Sequence, residues 1–174
     1  MLYNIKLVPE WIPRELNREA DYFSKIRDTD GWSVDDDCFQ RINAQFGPFT
    51  IDRFADDRNK KLKRFNSRFF CPGTSHVNCF TADWSEENNW LCPPVSLIGS
   101  AIRHLRMCNG LGTLLVPLWE SSYFWPLLIH PNGGQFADFI EETMIVNPCY
   151  VSYGDNDTFN GFAQFKTIAL KLRF

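Results

Sequence analysis

Two short stretches combine residue types and positions that could do chemistry. Phe49-Thr50-Ile51-Asp52 is an apolar run that ends on an acid, and Trp90-Leu91-Cys92-Pro93-Pro94-Val95 is one that ends at a double proline. In open α/β sheets the ligand crevice lies at the carboxyl ends of strands, so Asp52 and the loop of Cys92, Pro93, Pro94 and Val95 are the first candidates. The basic segment Arg58, Lys60, Lys61, Lys63, Arg64 and Arg68, interleaved with Phe65, Phe69 and Phe70, is another. Cations among aromatics can follow a phosphate backbone and stack on bases. The same pattern also serves as a solvated face beside a core stripe, and Asp56 and Asp57 offset part of its charge. Asp21 stands alone; a single carboxylate cannot hold two hard cations, so by itself it reads as a solvated acid on a helix face.

Other reactive residues carry less. His76, His104 and His130 do not make a metal-ligand spacing, and no C-x-x-C pair occurs among Cys38, Cys71, Cys79, Cys92, Cys108 and Cys149. No metal site is expected. The chain opens without a secretory signal, so the cysteines read as reduced core thiols of an intracellular protein. His104 has no acid beside it in sequence to orient it as a base, and reads as a helix-end histidine.

The elements that must position these residues follow from periodicity. A strand is expected over 3–8 and a helix over 17–27 capped by Asn17. The S-x-x-D signal of Ser33 and Asp36 predicts a helix over 33–46, with Val34, Cys38, Phe39, Ile42 and Phe46 on one stripe and the acids Asp35 to Asp37 at its positive end. Strands are expected over 49–52, 77–82, 90–92 and 112–119, and an amphipathic helix over 95–107 carrying Leu97, Ile98, Ala101, Ile102 and Leu105 inward. Ser121 is expected to cap a helix over 123–129. Beyond it, β segments over 142–151 and 165–174, joined by a polar linker over 152–161, suit an antiparallel hairpin on the sheet edge. Alternating strands and helices imply a mainly parallel, Rossmann-like sheet with flanking helices.

Composition sets the bounds. The 174 residues suffice for one main domain with appendages, and 44% apolar with 22% charged residues is the balance of a folded chain. A net charge of −3 excludes global attraction to phosphate, so any contact with DNA or RNA must be local. No apolar run reaches membrane-spanning length, and no membrane partner is expected.

Two resemblances add to this reading. Trp11-Ile12-Pro13-Arg14-Glu15-Leu16-Asn17-Arg18-Glu19-Ala20-Asp21-Tyr22-Phe23-Ser24-Lys25 resembles the last strand and helix of retroelement ribonuclease H domains, whose pattern is W-I-P-x-x-x-N-x-x-A-D-x-L-S. The resemblance makes Asp21 one of four metal-binding carboxylates, and the other three would lie upstream of Met1, leaving it inactive alone. Residues 35–125 resemble adenine-N6 methyltransferases of the phage and Dam type, through Phe46-Gly47-Pro48-Phe49, Asp52 with Ala55 and Asn59, Trp84, Leu91-Cys92-Pro93-Pro94, Gly112 to Pro117 and Tyr123 to Trp125. A ribonuclease H ending followed by such a domain resembles the polyprotein of DIRS-type, tyrosine-recombinase retrotransposons, with 162–174 similar to the segment before the recombinase. This implies a ribonuclease H remnant over 1–29, a methyltransferase-like domain over 32–174, and an upstream reverse transcriptase and ribonuclease H segment as partner.

The second resemblance also implies a test of chemistry. Amino-methyltransferases carry D/N-P-P-Y/F, in which an acid or amide side chain and a backbone carbonyl accept from the target amine while the aromatic stacks on the flipped base. Here Cys92 and Val95 stand at those two positions; a thiol is a poor acceptor and valine has no π face. Asp52 matches a carboxylate near the S-adenosylmethionine crevice, yet Phe54-Ala55-Asp56-Asp57 replaces a glycine-rich turn. No cofactor is expected unless the site is live. Three functions fit these residues: an inactive methyltransferase-like module that is structural or contacts nucleic acid, a live enzyme with an altered motif, and a truncated gene product without present function.

Overall fold

The computed structural model describes residues 32–146 and 165–174, the backbone of 150–152, and residues 8, 10–13, 15 and 16. The strand expected over 3–8, apart from Val8, and the helix expected over 17–27, Asp21 included, lie outside the described residues. So does the polar linker beyond residue 152.

The described elements are β1 (Trp32–Val34), α1 (Asp36–Phe46), β2 (Ile51–Asp52), β3 (Asn66–Ser67), β4 (His76–Val77), β5 (Asn88–Leu91), α2 (Ile98–Met107), β6 (Leu111–Pro117), β7 (Ile140–Val146), β8 (Tyr150–Ser152) and β9 (Thr167–Arg173). Single 3-10 turns occur at Cys79–Thr81, Val95–Leu97 and Trp125–Leu127. The central sheet has the order β2-β5-β6-β9-β7. β2, β5 and β6 are parallel neighbours, and β9 runs antiparallel to both β6 and β7. Four strands therefore share one direction, giving a mixed α/β fold with a mainly parallel sheet and few helices.

Side-chain alternation explains how this sheet supports two cores. Along β6 the run Leu114-Leu115-Val116 is fully buried, and successive side chains point to opposite faces. Leu115 joins Trp90, Cys92 and Ala169 under α1, whereas Leu114 and Val116 join Leu91, Ile168 and Leu170 under α2. α1 contributes Cys38, Phe39, Ile42 and Phe46, and Phe39 meets the ring of Trp90 edge-on at 5.2 Å. α2 contributes Ile98, Ala101, Ile102 and Leu105 to the other face. Truncating one such residue, for example Ile42→Ala, removes buried methyl groups and costs about 2–5 kcal/mol.

Several expectations need correction. The cap of α1 is Asp35, whose carboxylate accepts from the Cys38 amide at 2.7 Å; Ser33 lies in β1 instead. An acid directly before the helix reaches the open amide with no intervening turn. Residues 77–82 are not a strand of the main sheet. Asn78 has φ 59° and its side chain accepts from the Phe80 amide, which ends the extended run and starts a 3-10 turn. His76–Val77 pairs only with Asn66–Ser67, in a separate two-stranded parallel sheet. The helix expected over 123–129 is a single turn, Trp125–Leu127, preceded by Phe124 without a side-chain cap; Ser121 does not start it. Pro126 supplies no amide to lengthen it.

The carboxyl-terminal segments pair antiparallel as expected, but β9 is an interior strand and β7 forms the edge. One face of β9, Ile168, Leu170 and Leu172, is buried under α2, while the other carries Thr167, Ala169, Lys171 and Arg173, with Lys171 paired to Glu142 of β7. β8 leaves this pairing to join β1. Cys71, Cys79, Cys92 and Cys108 are free thiols, whereas Cys38 is disulfide-bonded, so the expectation of reduced cysteines does not hold for it.

Candidate functional site

The register of the parallel strands brings the two candidate stretches together. Asp52, the last residue of β2, is paired with Trp90 of β5, and Cys92 to Val95 leave the end of β5. Both loops therefore open from the same end of the sheet.

Asp52 is 2% exposed, and its two carboxylate oxygens accept from the amides of Phe54 at 3.3 Å and Lys61 at 3.0 Å. It thus ties the two ends of its own loop. Burial pushes its carboxyl up to about 6, against the pull of those amides and of the Lys61 ammonium. Within the loop, the Asp56 amide donates to the Asn59 side chain at 2.7 Å and the Asn59 amide donates back to Asp56 at 3.1 Å. Burial opposes ionisation of Asp56, yet the Arg58 guanidinium and the amides of Arg58 and Asn59 hold its carboxyl below the usual range. The turn thus carries an ionised acid and no glycine, and the Asp52 carboxylate is occupied by its own backbone.

Beside Asp52, Arg53 is buried with only neutral hydrogen-bond partners. Its Nε donates to Asn89 Oδ1 at 2.7 Å, one terminal nitrogen to Asn66 Oδ1 at 2.9 Å, and the other to the Asp83 carbonyl at 3.2 Å. The guanidinium carbon lies 5.2 Å from the Trp84 ring centroid. Burial lowers its pKa to about 10, which leaves it charged at neutral pH. Asn89 is held in turn by the carbonyls of Trp84, Glu87 and Leu111 at 2.7–2.9 Å. These bonds fix where the chain leaves β2.

At the end of β5, the Cys92 thiol lies 3.7 Å from the Trp32 carbonyl and donates to it. Burial first, and then the charge of Asp52, raise the thiol well above its ordinary range, so it stays protonated. The Pro93 carbonyl accepts the Trp32 indole N–H at 2.7 Å. Val95 is covered differently: the Tyr123 hydroxyl donates to its carbonyl at 2.6 Å, and the Tyr123 ring is 57% exposed beside it.

The basic segment forms no continuous stripe. Lys61 meets Asp36 at 2.7 Å, Arg64 meets Glu87 at 2.6 Å, and Arg58 meets Asp56 at 2.6 Å. Lys60 lies over Phe65 and Arg68 over Phe69, and Lys63 is exposed. Phe70, next to them, is 82% exposed. His104 binds the Ala82 carbonyl at 2.9 Å and packs edge-on against Trp84, which makes it a tie between α2 and the loop before β5.

The family profile of DNA N-6-adenine-methyltransferase (Dam) matches residues 23–126. The chain belongs to this family. A putative methyltransferase of Escherichia coli (strain K12), YfdM, is 37% identical to it over 57 residues, covering 33% of this chain and 55% of that protein. The chain thus spans little more than half the length of that relative. The Dam match contains Asp52, the basic segment, the Cys92 to Val95 loop and the turn at Tyr123, whereas Asp21 lies before it. Among the described residues of this Dam-family chain, no three or more His, Cys, Asp or Glu cluster as metal ligands. No described helix is long and apolar enough to cross a membrane.

Sequence reasoning missed Trp32 and the part played by Tyr123. The hydrogen bond of Trp32 spans 61 residues, and its one local signal is the alternation Trp32-Ser33-Val34. Tyr123 carried a stronger hint, standing first in an aromatic cluster after β6.

Proposed function

We propose that this Dam-family chain is a methyltransferase-like module, with a Rossmann-like core, that does not transfer methyl groups. In this reading it serves as a structural and nucleic-acid-contacting part of a DIRS-type retrotransposon polyprotein inside the cell. The observation that carries the proposal is the state of Cys92: a buried, protonated thiol that donates to Trp32 where an acceptor for the target amine is needed. Val95 adds no stacking face, and the turn after Asp52 suits S-adenosylmethionine poorly. The polyprotein origin rests on the segment from Trp11 to Lys25 and on 162–174. A ribonuclease H and reverse transcriptase in frame upstream support it, and an unrelated upstream frame contradicts it.

The test of lost catalysis is transfer of labelled methyl from S-adenosylmethionine to adenine-containing DNA. None is expected from the parent chain. Family membership by itself favours the other reading, a live adenine-N6 methyltransferase, and turnover would establish it. Nucleic-acid contact through Lys60, Lys61, Lys63, Arg64 and Arg68 is tested on single strands, where weak and steeply salt-dependent binding is expected. Changing Lys60, Lys61, Lys63 and Arg64 to Glu should abolish it; no binding by the parent at low salt would return the segment to a solvated face and leave a structural module or a truncated product.

A further inference from the structure

Asn-Gly steps occur at Asn109, Asn132 and Asn160, of which the third lies outside the described residues. In such a step the side-chain amide stands beside the next backbone nitrogen, and glycine has no Cβ to hinder a ring closing between them. The fold treats the two described steps in opposite ways. Asn109 is left-handed at φ 54° and closes α2: its amide donates to the Arg106 carbonyl and the Gly110 amide to that of Leu105, both at 3.0 Å. Gly110 is buried, and a Cβ there would lie 2.8 Å from a Leu105 methyl and 3.1 Å from the Trp84 carbonyl oxygen. Its carbonyl accepts from the Phe174 amide at 3.2 Å. Rotation at this step opens the end of the helix.

Asn132 lies at the other extreme. It is exposed in the turn His130-Pro131-Asn132-Gly133, which the Gly133 amide closes by donating to the His130 carbonyl at 2.7 Å. The turn projects from a short stem, the bridge of Ile129 with Phe136 and the bond from the His130 amide to the Gln135 carbonyl at 2.9 Å. Gly133 and Gly134 have φ of 73° and 80°, and a Cβ on either would meet no atom within 4 Å. Releasing the Gly133 amide therefore breaks a turn hydrogen bond and disturbs no packing.

We propose that Asn132 is a site of spontaneous covalent modification, its side-chain amide passing to a carboxylate through a cyclic imide with Gly133, and that the fold protects Asn109 from the same reaction. The Gly133 nitrogen, having given its proton to solvent base, attacks the amide carbon of Asn132. The new N–C bond forms as the carbon–amine bond breaks, and ammonia leaves with a proton from water. Water then opens the imide at one carbonyl or the other, leaving aspartate or, with the backbone rerouted through the side chain, isoaspartate. Water is the co-reactant, and nothing is oxidised or reduced. The product places a negative charge at the tip of the loop beside His130, whose Nδ1 accepts from the Asn132 amide at 3.2 Å. This holds whether or not the chain transfers methyl groups.

The full chain, incubated folded at mildly alkaline pH, is digested and its peptides are resolved by mass spectrometry. Asn132 should be converted more than about tenfold faster than Asn109, because freeing Gly133 is a loop motion whereas freeing Gly110 opens a packed helix end. Both aspartate and isoaspartate should appear at Asn132, the mark of an imide. Asn132→Gln, whose longer side chain closes the ring poorly, should abolish the signal. In urea the two steps should converge to within about threefold, since the fold no longer separates them. Conversion at Asn109 as fast as at Asn132 in the folded chain, conversion of Asn132 in urea alone, or aspartate without isoaspartate would each overturn the proposal.

Discussion

The indole nitrogen of Trp32 and the carbonyl oxygen of Pro93, 61 residues apart in the chain, lie 2.7 Å apart across the mouth of the β2 and β5 loops. With Cys92 donating to the carbonyl of the same tryptophan, one residue engages two consecutive positions of the double-proline loop. The loop keeps the shape that its prolines impose, and its polar groups face inward.

The buried guanidinium of Arg53 makes the first prediction. Arg53→Leu removes the donor to Asn89 and Asn66 and leaves two buried side-chain acceptors unmet. The loss should be roughly 2–4 kcal/mol, from about 1–3 kcal/mol for each orphaned group less the apolar surface that leucine restores. Urea denaturation should show a lower midpoint at unchanged slope. A loss below about 1 kcal/mol would mean that water or another donor replaces the guanidinium.

Asp52 gives a pH signature of unusual sign. Its carboxyl is raised from 3.8 to about 6, so between those values the folded state binds the proton more readily than the unfolded one. Its contribution is therefore full below about 4 and is lost as pH rises through about 6, a change of roughly 2–3 kcal/mol. Asp52→Asn should abolish this component. The check is the difference in unfolding free energy between parent and variant from pH 4 to 7, which should grow in favour of the variant as pH rises; a flat difference would contradict the assignment.

Thr113 carries a buried hydroxyl with no hydrogen-bond partner, in the middle of β6. Thr113→Val keeps the branched shape and removes the unmet group, so it should stabilise the chain by about 1 kcal/mol in urea titration. Destabilisation would reveal a partner for that oxygen.

What could be read from the sequence was what repeats locally. The stripes of α1 and α2 and the continuous apolar run of β6 each report burial within a few residues, and they fall where the periodicity puts them except that Val34 belongs to β1 and Leu97 to the half-buried turn before α2. Strand order is another matter: Ile168, Leu170 and Leu172 alternating with Lys171 and Arg173 read as an edge strand, and nothing local says that β9 enters between β6 and β7. The S-x-x-D signal put the cap of α1 at Ser33, but Asp35 takes it because it directly precedes the helix and its carboxylate reaches the Cys38 amide. Residues 77–82 looked extended by composition, and one left-handed asparagine, Asn78, broke them into a bridge and a turn. At the site, Asp52 and the double proline could be found because strand ends mark crevices. Trp32 could not, since its role depends on a closure far away in sequence.

The most direct test of the central claim is transfer of tritiated methyl from S-adenosylmethionine to adenine-containing DNA. The parent chain is compared with Cys92→Asn, Val95→Tyr, a double substitution that restores an acceptor and a stacking ring. The parent is predicted to give no turnover, because Cys92 supplies no acceptor and Val95 no ring, and such electrostatic placement accounts for several orders of magnitude in rate. Activity in the double variant alone would locate the loss of catalysis at these two positions, and silence in both would extend it to the turn after Asp52. Turnover by the parent chain would contradict the account.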